Sequence, residues 1–241
     1  MTNIAAQLEM IRQRMRIACE RSGRLEQEVK LLLATKTVPA GLIAEALSLG
    51  ETLIGENKVQ ELKQKFGDLT AYPHEAHFIG HLQTNKIKDV VKYAQCIQSV
   101  DRIDLVEKLD QYLLKEGKSL DIFVQVNTSA ELSKFGVEPE NALELIKKIA
   151  RYDTFRVKGL MTIGLFSAET EQVRKCFKLL KEIQKKAFDA GYKNVEPLEL
   201  SMGMSGDLEV AIEEGATIVR VGTAIFGQRK YSDQYYWNEN K

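Results

Sequence analysis

Short apolar or β-branched runs recur at 29–34, 52–54, 77–79, 96–100, 121–126, 157–163, 195–200 and 217–221, each followed by a polar turn. Between them lie stretches of helical periodicity, among them LIAEALSLG, RIDLVEKLDQYLLKEG, NALELIKKIARY, EQVRKCFKLLKEIQKKAFDAG and DLEVAIEEG. Several close on the glycine that a helix C-terminus favours. Strands that alternate with helices pair in parallel through right-handed crossovers. Eight such units in 241 residues fit a single (β/α)8 TIM barrel of the α/β class better than an open doubly wound sheet. Ahead of the first unit, Ile4, Leu8, Ile11 and Met15 recur at helical spacing, with Arg12, Arg14 and Arg16 off that stripe and Gly23 as a stop. The pattern predicts an extra N-terminal helix over 1–23, a barrel over 28–230 and a tail over 231–241, all in one domain spanning 1–241. The tail, YSDQYYWNENK, reads as a strap over the outside.

Charge and cysteine content remove several partners. Lysine and arginine total 34 against 34 aspartate and glutamate, so the zero net charge provides no general basic field to collect nucleic acid. Cys19, Cys96 and Cys176 lie far apart without CxxC spacing, which points to buried thiols in a reducing compartment. The N-terminal segment carries Glu9 and Arg12 where an export signal needs an unbroken apolar run. No apolar stretch approaches the length of a membrane span, so a cytoplasmic protein without a membrane partner is expected.

A barrel places its binding groups at the C-terminal ends of its strands and in the loops that follow. Lys36 stands at the end of the KLLLATKTVP run, where a charged ammonium must reach water, meet an anion or react. It is either a rim lysine with a wet amine or a partly buried one whose free amine attacks an aldehyde. The stretch LSMGMSGDLEVAIEEGATIVRVGTAIFG brings two small-residue loops together after the last two strands, a common place for phosphate in barrels. Ordinary turn and cap chemistry at Ser205 and Gly222 is the alternative, and Asp207 repels a dianion unless its side chain points away. Arg220, flanked by valines in IVRVG, shares a strand face with Ile218 and Gly222. Its guanidinium needs a partner, either Glu199 or Glu56 in a salt bridge, or a ring nitrogen or carboxylate of a ligand. An aldehyde, a phosphate and a ring nitrogen are together the groups of pyridoxal 5′-phosphate.

The motifs ATKTVP, GENKVQE, HFIGHLQTNK, SVDR, VNTSAELSKFGV, GLMTIG and LSMGMSGDLEVAIEEGATIVRVGTAIFG run through almost the whole chain. With them the sequence resembles the pyridoxal phosphate homeostasis protein family, whose barrel is similar to the N-terminal domain of alanine racemase. The resemblance implies that Lys36 holds the cofactor as a Schiff base, that Ser201, Gly222 and Thr223 hold its phosphate, and that Arg220 faces the pyridine nitrogen. It places Asn57, His81 and Met204 in the lining of the same pocket. His74, His77 and His81 do not share a face at ligand spacing, so no metal site is expected. The lysines of KQKF read as a solvated helix face.

Chemistry on an amino acid needs an electron sink and usually an acid/base pair astride the α-carbon. An arginine at the ring nitrogen weakens that sink, and the resemblance implies that racemases compensate with a base from a second domain. This chain ends where its barrel ends, so that domain is expected to be missing. The expected function is therefore non-catalytic: reversible binding, buffering and delivery of pyridoxal phosphate by a monomer, with apo-enzymes as recipients. A single-domain amino-acid racemase is the alternative, with Tyr72 and His81 as candidate second bases. A third reading is a barrel enzyme that uses Lys36 for aldol-type chemistry on a sugar phosphate.

Overall fold

A computed structural model describes residues 3–131, 133–165, 167 and 169–227. The helix α1, Ile4–Arg21, precedes a repeating series: β1 Lys30–Ala34, α2 Ala40–Ser48, β2 Leu53–Glu56, α3 Val59–Leu69, β3 Glu75–Phe78 and α4 Ile87–Tyr93. The series continues with β4 Cys96–Val100, α5 Ile103–Glu116, β5 Leu120–Gln125, α6 Pro139–Ile149, β6 Phe155–Met161 and α7 Thr170–Asp189. It ends with β7 Val195–Ser201, α8 Leu208–Glu213, β8 Ile218–Val221 and α9 Thr223–Phe226. The strands pair in parallel in chain order and β1 closes on β8, so the sheet is a closed barrel, as the alternation of runs predicts. The tail expected over 231–241 lies outside the described residues.

Strand alternation sorts the apolar side chains into two layers. Leu32, Leu53, Cys96, Phe123, Met161 and Ile218 fill the barrel interior. Leu31, Leu33, Ile54, Val219 and Val221 point outward into the larger layer under the helices. Each such fully buried aliphatic or aromatic side chain contributes about 1.5–3 kcal/mol. On α1 the predicted stripe Ile4, Leu8, Ile11 and Met15 is buried, and Asn3 caps the helix by accepting from Ala6 N–H at 3.0 Å. The helix packs on α2, α8 and α9 and is tied down by Arg12 to Glu51 at 2.5 Å and by Arg14 to Glu209 at 2.6 Å.

Most strand boundaries lie one or two residues from the pattern, and two of them have a clear partner in the structure. The third strand begins at Glu75, whose N–H donates to Thr52 O at 2.7 Å, two residues before the apolar run. The sixth stops at Met161, because the Thr162 hydroxyl leaves the sheet to meet Thr128 Oγ1 at 2.9 Å and to accept from Gly164 N–H at 3.2 Å.

Candidate functional site

The C-terminal ends of β1, β2, β3, β7 and β8 gather most of the predicted residues at one mouth of the barrel. Ala34 pairs with Gly55, and Lys36 and Asn57 each lie two residues further along, just past the strand ends. Leu33 pairs with Val221, which sets the turn at Gly222 beside the same strand end. A Cβ at Gly222 would lie 2.7 Å from Ala34 O, so only glycine lets this turn approach the strand that leads to Lys36. Lys36 is half-buried and Thr223 is exposed.

Arg220 is 6% exposed, and neither Glu199 nor Glu56 is its partner. Glu199 pairs with Lys30 at 2.5 Å and Glu56 with Lys65 at 2.6 Å. The guanidinium instead donates to Thr162 O at 2.7 Å and to Ser201 Oγ at 2.9 Å. Burial lowers its pKa to about 10, still well above neutrality, with Asp207 opposing the shift. Because Arg220 only donates, the single proton of Ser201 goes to Gln98 Oε1 at 2.6 Å. The amide of Gln98 therefore turns its NH2 to His77 Nδ1 at 2.6 Å, and His77 carries its proton on Nε2, 2.8 Å from Glu75 Oε1. A one-way chain of hydrogen bonds thus crosses the barrel from the mouth to its opposite end.

Ser201, for which the resemblance implies a phosphate contact, is engaged here by Gln98 and Arg220. Its hydroxyl proton is committed to Gln98, so it supports Arg220 from within the barrel. Ser205 is half-buried in the turn before α8. Its carbonyl is anchored by Arg14 at 2.9 Å. Asp207 folds back onto this turn and accepts from Met204 N–H at 2.5 Å, and burial raises its pKa. These contacts turn the carboxylate towards its own backbone, which answers the objection raised by its place in the sequence.

The turn that carries Lys36 is held from outside the barrel. Thr37 sits at φ +63°, a conformation that costs a β-branched residue about 1–3 kcal/mol. Val38 N–H closes the turn on Thr35 O at 3.0 Å. The same carbonyl accepts from Lys65 at 2.9 Å, and the Thr35 hydroxyl donates to Glu56 Oε1 at 2.6 Å. Glu61 accepts from Thr37 N–H at 2.6 Å and from Lys65 at 2.8 Å. Lys65, expected on a solvated helix face, is 12% exposed and is the centre of this cluster. Alternation offered the missing signal, because Glu56 points from β2 towards the helix layer, and a carboxylate there needs a cation from the next helix.

Glu56 is 1% exposed, and its Oε2 has no hydrogen-bond partner among the described residues. Burial raises its pKa from 4.5 to about 7, against the pull of Lys65. The folded protein therefore holds this proton more tightly than the unfolded chain. Stability from Glu56 is present below about pH 4.5 and is lost as pH rises to about 7, at up to about 1.4 kcal/mol per pH unit. In Tm scans across that window Glu56→Gln is expected to flatten the decline. Parallel curves for the two proteins would contradict the assignment.

His81 stacks on Phe135 with ring centroids 3.9 Å apart, and its Nδ1 is 3.9 Å from Asp101 Oδ2. The loop after β5 is folded on itself by Asn127 to Glu131 O at 3.0 Å, and Lys134 ties it to Gly164 O at 2.7 Å. Tyr72 lies between α3 and β3, at the opposite end of the barrel from Lys36, and so supplies no base to this mouth. Lys36, Arg220, the Ser205 and Thr223 hydroxyls and the amides of the Gly222 turn are all donors or cations. Such a set suits a phosphate, a ring acceptor and an electrophilic carbonyl.

A profile of the alanine racemase N-terminal domain matches residues 7–230. A pyridoxal phosphate homeostasis protein of Aquifex aeolicus is 44% identical over 229 residues, covering 95% of this chain and all of that one. A crystal structure of a protein from Bifidobacterium adolescentis is 37% identical with a TM-score of 0.87, covering 92% of this chain and 94% of that one. The structure of PipY from Synechococcus elongatus with PLP bound is 31% identical with a TM-score of 0.78, covering 93% of this chain and all of that one.

Proposed function

Since the chain belongs to the pyridoxal phosphate homeostasis protein family, on the alanine racemase N-terminal barrel, we propose that it binds pyridoxal 5′-phosphate reversibly, buffering and delivering it. The observation that carries this reading is the placing of Lys36 and the buried Arg220 at one barrel mouth. Pyridoxal phosphate would supply an aldehyde at this mouth, and Lys36 is the residue whose amine would hold it there, with water as the by-product. Lys36 must release its proton before its nitrogen can react.

Around that linkage the residues bind and orient. Ser205, Thr223 and the amides of Gly222 and Thr223 hold the phosphate, while Arg220 donates to the ring nitrogen and Ser201 fixes the guanidinium. Asn57, His81 and Met204 line the pocket. Because a guanidinium gives no proton near neutrality, the ring nitrogen keeps its lone pair. Of the two candidate second bases, Tyr72 lies at the far end of the barrel and His81 is stacked on Phe135, which supports carriage over racemisation.

The described residues form one barrel, and a single binding domain over 1–241 is part of this reading. So are a monomer that serves apo-enzymes and a place in the cytoplasm. Three buried free thiols and the lack of any helix long and apolar enough to cross a membrane, among the described residues, support that place. The test is the visible spectrum of the purified protein, then borohydride reduction and peptide mapping. A band that reduction fixes on Lys36, without amino-acid racemisation or transamination, is expected. Enzyme-like turnover that depends on Lys36 would reject carriage, and a colourless protein that takes up no cofactor would reject the binding itself.

A further inference from the structure

We propose that Lys65, Glu56 and Glu61 form a clamp whose task is to position Lys36 for the cofactor. The inference rests on the binding function above and assigns it residues that touch no ligand. Lys36 lies in the middle of a turn whose backbone is held on both sides. Before it, Thr35 is bound through its carbonyl to Lys65 at 2.9 Å and through its hydroxyl to Glu56 at 2.6 Å. After it, Thr37 N–H is bound to Glu61 at 2.6 Å.

Lys65 joins the two halves, since its ammonium donates to Thr35 O, Glu56 and Glu61, using all three of its protons. Thr35, the first residue after β1, turns its hydroxyl outward to the clamp, and Lys36 follows it in the turn at the barrel mouth. The left-handed Thr37 is a conformation that persists only where its surroundings over-determine it, and the clamp is what does so here. A buried carboxylate with one unpaired oxygen, as Glu56 has among the described residues, is a poor choice for stability alone. Its place beside the lysine turn is explained by positioning. The clamp thus fixes the direction of approach of the Lys36 amine, which strongly affects reactions between held groups.

The experiment titrates pyridoxal phosphate by its visible band into the full chain and into Lys65→Met, Glu61→Gln and Arg12→Met, with Tm measured on each. The pH midpoint of the band is recorded as well. Lys65→Met and Glu61→Gln are expected to weaken binding by about tenfold or more and to move that midpoint. Arg12→Met breaks an ion pair to Glu51 away from this turn and is expected to lower Tm with the Kd unchanged. Lys65→Met that folds, binds as the wild type does and keeps its midpoint overturns the clamp. So does an equal loss of affinity in Arg12→Met, which would reveal general destabilisation. If Lys65→Met does not fold, Glu61→Gln decides by the same two readouts. A wild type that takes up no cofactor overturns the function itself, an outcome distinct from wild-type binding with unaffected variants.

Discussion

Lys36→Ala is expected to eliminate the visible band of added pyridoxal phosphate and to leave no residue that borohydride fixes in the peptide holding position 36. The remaining contacts to phosphate and ring are non-covalent, so affinity falls by about 100-fold or more, equivalent to about 2.7 kcal/mol. The fold is expected to survive. Lys36 is half-buried, and the turn around it is held by Thr35, Thr37, Glu56, Glu61 and Lys65. Without cofactor the Tm of the variant should lie within about 2 °C of the wild type. Cofactor that binds only the folded chain raises the wild-type Tm by mass action, and the variant should lose most of that increase. A variant that kept the band would move the attachment to another lysine and remove the basis for the site.

The second large effect is on the scaffold. A Cβ at Gly80 would lie 2.0 Å from Asn57 O and 2.7 Å from Asn57 C and Cα. These are backbone atoms with no rotamer into which to retreat, so Gly80→Ala must push apart the loops that follow β2 and β3. Overpacking of this kind costs about 3 kcal/mol. In a chain of this size that lowers Tm by about 10 °C. Asn57 and His81 sit on those two loops, so the cofactor Kd should rise together with the loss of stability. An unchanged Tm and Kd in Gly80→Ala would mean that the two loops do not touch in solution.

Most of the barrel was legible because each strand run is short, apolar and closed by a polar turn, and because α1 repeats its apolar residues at helical spacing. Lys36 and Arg220 stood out as charges in apolar strands, which physics rarely permits without a reason. Partners across the barrel were harder to see. Arg220 meets Ser201 and Thr162, and the carboxylates proposed from sequence are taken by Lys30 and Lys65. Register between strands decides such pairs, and no local pattern encodes it. Lys65 was missed for a related reason. In KQKF it resembles any surface lysine, and only the outward direction of Glu56 makes it the centre of a buried cluster. Gln98 and His77 were within reach, since polar residues at inward strand positions must bond to each other.

The chain from Arg220 through Ser201, Gln98 and His77 to Glu75 has a further consequence for how the barrel interior behaves as a unit. Each link fixes the next. The hydroxyl rotor, the amide face and the imidazole tautomer share a single orientation, and reversing one would leave two donors facing each other. Such a row switches all together or not at all, and a guanidinium that can never accept fixes its first member. The interior thus has only one polarity to present to whatever enters the mouth, the same whether the mouth is filled or empty.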